Sequence, residues 1–69
     1  MPLSMVGIGE TKTVLKINGK DDTRRFLKNL GFVEGAKLTV VSVLAGNMIV
    51  SIKDTRVAID RSMSNRIMV

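Results

Sequence analysis

The sequence predicts a mainly β protein, a small antiparallel barrel with one short helix inserted between its first and second strands and a final helical turn. From Lys37 onward, short runs of β-branched and apolar residues recur at close intervals with turn residues between them, the pattern of antiparallel strands joined by hairpins. One stretch, Thr23 to Leu30, has helical periodicity instead. The chain has 69 residues and no cysteine, so a single domain spanning 1–69 must be held by its core alone. A chain of this size buries only about 60% of the surface it exposes when unfolded.

Met1 to Ile8 carries Leu3, Met5, Val6 and Ile8 behind Pro2 and reads as an extended lead-in that lays apolar side chains over one end of the barrel. Gly9-Glu10 turns the chain. From Thr11 to Ile17, the residues Thr13, Leu15 and Ile17 alternate with Lys12, Val14 and Lys16, as expected for a first strand with one wet face. Asn18-Gly19-Lys20 ends that strand. At about 100° per residue, Thr23, Phe26, Leu27 and Leu30 share one helical face, expected to be buried, and Arg24, Arg25 and Lys28 take the other. Asp21 or Asp22 is expected to cap the first turn, and both complement the helix dipole. Gly31 stands where a left-handed residue stops the helix. Gly35 follows Phe32-Val33-Glu34 at a tight turn that wants positive φ.

Lys37 to Leu44 is apolar on both faces and is expected to be the central strand, covered on two sides. Ala45-Gly46-Asn47 turns the chain, and Met48 to Lys53 returns with Met48, Val50 and Ile52 on one face. Asp54-Thr55 turns it again into Arg56 to Ile59. Asp60 is expected to cap a last turn from Arg61 to Asn65. Ile67 and Val69 form a terminal strand, expected to pair with the first strand and close the barrel so that no edge stays open.

Function is approached first by exclusion. The chain has no histidine and no cysteine, so the imidazole and thiolate ligands of structural zinc sites are missing, and no metal or cofactor site is expected within it. Asp21 and Asp22 are read as a cap and a dipole partner, and the other acids sit at turns, so no paired carboxylates or nucleophile with its base is recognised and no enzyme is expected. The methionines are read as core filling. Gly31 and Gly35 lack the lysine and hydroxyl residue of a phosphate loop. No basic region followed by an apolar one opens the chain, and the longest uncharged stretch is shorter than the roughly 20 residues of a membrane span, so a cytoplasmic protein without membrane insertion is expected. The formal net charge is +5, and Lys12, Lys16, Lys20, Arg24, Arg25 and Lys28 crowd the first half. A basic surface of this kind either serves solubility or meets an acidic partner. With Phe26 assigned to the core, one ring remains for stacking bases, which argues against nucleic acid. The candidate partner-binding residues are Arg24, Arg25 and Lys28 on the helix, with Phe32 beside them as an apolar anchor; the alternative is that Phe32 closes the bottom of the core and the cations are merely solvated.

The pattern as a whole resembles the ferrous-iron transport protein A (FeoA) family. The pieces that look alike are Gly9-Glu10 with Val14 and Ile17, then Leu27-Lys28-Asn29-Leu30-Gly31-Phe32 with Gly35, Leu38 and Val40. Val50, Ile52, Arg56-Val57-Ala58-Ile59 and Ile67-Met68-Val69 complete the match. The Leu-Gly-Phe-x-x-Gly core is the most specific piece. Glu34 stands where the family commonly has proline, and Ser64 where it has alanine. The resemblance implies an SH3-like barrel acting as a cytosolic accessory to an inner-membrane ferrous-iron permease that contains a GTPase domain, with self-association left open. The same domain is similar to the carboxy-terminal module of iron-dependent repressors. A detached module of that kind is therefore one alternative function and a small nucleic-acid-binding barrel another; the initial Met1 and the lack of a helix-turn-helix favour the stand-alone accessory.

Overall fold

The first strand does not run through. Thr11–Thr13 forms β1 and Lys16–Ile17 forms β2 in a computed structural model that describes residues 1–69. The Val14 N–H donates to the Ala36 carbonyl, but the Leu15 N–H donates to the Met68 carbonyl, both at 2.8 Å. The chain therefore changes partners between adjacent residues and passes from one sheet to the other. This step overturns the expected alternation: Val14 is buried and Leu15 is exposed.

The remaining elements are α1 at Asp22–Leu30, β3 at Lys37–Leu44, β4 at Asn47–Ile52, β5 at Thr55–Ile59, α2 at Arg61–Arg66 and β6 at Ile67–Met68, after a 3-10 turn at Leu3–Met5. An antiparallel sheet runs β1-β3-β4-β5, and a second pairs β2 with β6. The mainly β antiparallel architecture is as predicted. β6 joins the chain that began as the first strand, matching Lys16 with Met68 and Ile17 with Ile67. Pro2 bridges to Met68 as well.

Three details of this architecture depart from expectation. No strand lies beyond β5 in its sheet, so the four-stranded sheet keeps an open edge there. Its hairpin turns on Lys53 and Asp54, both at positive φ (50° and 60°), a two-residue loop in which the flanking Ile52 and Thr55 form a hydrogen-bonded pair. The N–H and C=O groups of Arg56 and Ala58 consequently point away from β4. The second departure is in β3, which is central but not covered along its length. Leu38 and Val40 are buried, the register shifts by one residue at Val41, and Val43 and Leu44 emerge into solvent beyond the barrel. The third is Phe26, which stands 49% exposed. The inward direction of α1 is centred on Leu27, with Thr23 and Leu30 half-buried at its sides.

Helix α1 ends in a double hydrogen-bonded cap. The Gly31 N–H donates to the Lys28 carbonyl and the Phe32 N–H to the Leu27 carbonyl, with Gly31 left-handed at φ 114°. This motif commonly brings the second residue past the helix against the residue three from its end. Those two residues are Phe32 and Leu27, and both are fully buried. Their burial contributes about 1.5–3 kcal/mol each. At the other terminus of the chain, the Asp60 carboxylate accepts the Met63 N–H (2.8 Å) and starts α2. Ser64 is buried, and its hydroxyl donates to the Arg61 carbonyl (3.0 Å), so it occupies a small-residue position without an orphaned polar atom.

Candidate functional site

The cations of the first half of the chain meet around a groove between α1 and the chain that precedes it. The loop between β2 and α1 is held from behind, because the Asn18 N–H donates to the Arg66 carbonyl (2.8 Å). Gly19 then turns it at φ 97°, and a Cβ there would lie 2.8 Å from Arg66 Nη1. The left-handed backbone favours glycine here, and a side chain would also make the guanidinium shift where it crosses the loop. Arg66 crosses to donate to Asp21 Oδ1 at 2.6 Å. Asp21 occupies the N-cap position of α1, but its side chain makes no capping bond to the helix, which corrects the capping role expected of it; Asp22 remains in the first turn as a partner of the dipole. The Arg66 hydrogen bond and charge hold the Asp21 carboxyl below the usual carboxylate range, and Asp21 in turn pushes the guanidinium up.

With the loop pinned, Lys16, Lys20, Arg24 and Lys28 all line the groove, the last two one helical turn apart. The groove consists of two adjoining hollows that share Ile17, Arg24 and Lys28. The first, about 610 Å³, adds Asn18, Gly19, Lys20, Asp21 and Arg25. The second, about 450 Å³, adds Lys16, Phe32, Val33 and Glu34. Ion pairs form between Lys12 and Glu10, Arg25 and Asp22, and Arg66 and Asp21. Lys16, Lys20, Arg24 and Lys28 have no carboxylate within 4.0 Å. Four uncompensated cations therefore face a concave surface whose own acid, Asp21, is already neutralised, and such a surface attracts anionic groups.

Of the residues singled out from sequence, Arg24 and Lys28 fall in this groove together. Arg25 reaches only its outer rim, where it forms a wide (3.8 Å), solvent-exposed pair with Asp22. Phe32 lines the floor of the second hollow but is fully buried; as an exposed anchor it is a correction, because the helix-ending motif turns its ring against Leu27. The apolar residue open to a partner there is Val33, 37% exposed. The exposed ring of the chain, Phe26, lines neither hollow. Sequence reading missed Lys16, Lys20, Glu34 and Arg66. Lys16 and Lys20 were within reach, since both belong to the same basic cluster and flank a glycine turn. Nothing local marks Arg66, which joins Asp21 across 45 positions.

No three His, Cys, Asp or Glu residues gather where they could hold a metal ion, and no helix is long and apolar enough to cross a membrane. The groove offers cations and an apolar floor. Its lining suits anionic groups.

The family model of the FeoA domain matches residues 1–69. Among solved structures, an iron uptake regulatory protein (FeoA) is similar at 34% identity and a TM-score of 0.90, over 99% of this chain and 90% of that one. The FeoA of Stenotrophomonas maltophilia, complexed with zinc and described as a prokaryotic SH3 domain protein, is 27% identical with a TM-score of 0.89, over 100% of this chain and 88% of that one. A manganese-dependent transcriptional repressor shares the fold at 24% identity and a TM-score of 0.87, over 97% of this chain but 39% of the repressor. No curated protein matches the sequence.

Proposed function

Because the chain belongs to the FeoA family, we propose that it is a cytosolic accessory protein of ferrous-iron uptake that binds the GTPase-containing cytosolic portion of an inner-membrane iron permease. The observation that carries this reading is the groove, where Lys16, Lys20, Arg24 and Lys28 stand without counter-ions over a concave surface. An adaptor needs a docking surface, and the charges of this one are not needed to hold the fold. Ferrous iron is cargo for the permease in this scheme, and the barrel handles the protein that carries it. The alternative of a module detached from a metal-dependent repressor has only likeness of fold behind it.

Charge reversal tests the reading. The double variant Arg24→Glu, Lys28→Glu is expected to keep its circular dichroism and melting temperature close to those of the parent, since neither side chain belongs to the core. It should capture the cytosolic portion of the permease more weakly, with the largest difference at low salt, where screening is least. Equal capture by variant and parent at low salt would overturn the groove as the docking surface.

A further inference from the structure

We propose that the groove selects a linear acidic motif: an extended segment of a partner protein with carboxylates at alternate residues and an apolar side chain at one end of the acidic run. This rests on the groove being the docking surface argued above and adds the chemistry of what enters it. Arg24 and Lys28 are four residues apart on α1 and so about 6 Å apart along its axis. Alternate side chains of an extended peptide lie on one face about 6.6 Å apart. Two acids with one residue between them therefore match the two helix cations, with Lys20 beside them in the first hollow and Lys16 in the second.

The order of side chains in the motif comes from the difference between the hollows. The first is lined by one apolar residue, Ile17, among Lys20, Arg24, Arg25 and Lys28, and its acid, Asp21, is occupied by Arg66. The second shares Ile17, Arg24 and Lys28 with it, adds Lys16, Phe32 and Val33, of which Val33 is exposed, and ends at Glu34, which has no cation within 4.0 Å. Acids are favoured along Arg24 and Lys28, an apolar side chain is favoured over Val33, and Glu34 repels a further acid beyond it. A motif with its apolar side chain between the acids puts a carboxylate against Glu34. Shape favours a protein segment over a membrane, because Arg24 is half-buried and Val33 lies within a hollow, whereas a flat layer of headgroups touches the rim. Nucleic acid finds no exposed ring in either hollow on which to stack its bases.

Fluorescence anisotropy with labelled, end-capped peptides tests this. One peptide carries glutamate at its first and third positions and leucine at its fifth, with serine between, and the control has the same composition with leucine at its third position and glutamate at its first and fifth. The end-leucine peptide should bind about tenfold more tightly than the control. Arg24→Glu should abolish its binding, Val33→Ser should reduce the preference, and Glu34→Lys should erase or invert it. The proposal fails if the two peptides bind alike to the parent, if inorganic tripolyphosphate competes as well as the end-leucine peptide does, or if vesicles rich in anionic phospholipid bind and neither peptide does. Permease capture is read in parallel. Capture that depends on Arg24 and Lys28 without a preference between the peptides sinks this inference and leaves the proposed function standing; a preference between them with capture indifferent to both residues does the reverse.

Discussion

Gly35 sits at φ 85° with nothing within 4 Å of where a Cβ would stand, so the cost of a side chain there is a cost of backbone conformation alone. Gly35→Val should destabilise by about 1–3 kcal/mol, read as a fall in melting temperature of about 4–8 °C per kcal/mol for a domain of this size. Gly35→Asn should recover part of the loss, since asparagine tolerates left-handed backbone; a valine variant as stable as the parent would refute the turn. Asp21 titrates in a way the sequence did not foreshadow. Its carboxyl is held down by the hydrogen bond and charge of Arg66, so its small contribution to stability is fully present above the unfolded carboxylate pKa and disappears as pH falls through the lower folded value. In Arg66→Gln the Asp21 carboxyl should titrate in the usual carboxylate range by NMR. An unchanged titration would mean that the pair does not persist in solution. Gly31, Gly35 and the Asp60 cap were legible because each is fixed by a few neighbouring residues. Helical periodicity puts Phe26 inside, but α1 turns Leu27 inward; for Phe32 the choice between docking anchor and core floor falls to the core, and the cap that buries it is itself readable from a glycine followed by an apolar residue.

At the scale of elements, β3, β4, β5 and α2 lie within a residue or two of their expected bounds, because hairpin turns and apolar alternation are local signals. The break between β1 and β2 was not legible. Alternation is computed within one strand, whereas the change of partner from Ala36 to Met68 depends on where two distant segments lie. The same limit hid the open edge: pairing of the terminal strand with the first was expected to leave no edge free, yet β5 ends its sheet. Amide hydrogen exchange follows from the β5 register. The amides of Thr55, Val57 and Ile59 should be protected by the ladder to β4, and those of Arg56 and Ala58 should exchange much faster. Protection of Arg56 and Ala58 that grows with protein concentration would show that a second copy covers the edge.

For the whole molecule, the net charge of +5 resolves into a placed feature: Lys16, Lys20, Arg24 and Lys28 converge on one groove while Arg66 removes the acid that would have neutralised part of it. The basic character was plain in the composition, and half of the groove was named from helix periodicity. The rest required the fold, which sets Lys16 into the same groove as Arg24 and Lys28. The six carboxylates are dispersed and no imidazole or thiolate is present, so anaerobic titration with ferrous iron should give no stoichiometric site tighter than about micromolar. A tight isotherm accompanied by joint shifts of the acidic residues would contradict this. The central claim is that the barrel acts by docking a protein through the groove, and amide shift mapping of the labelled chain, titrated with the GTPase-containing cytosolic portion of the permease at low salt, tests it most directly. The predicted result is a set of saturable shifts confined to Lys16 through Lys20, Arg24 through Lys28 and Val33. Shifts centred on the β5 edge or the exposed tip of the β3-β4 hairpin, or no shifts at saturating partner, would contradict it.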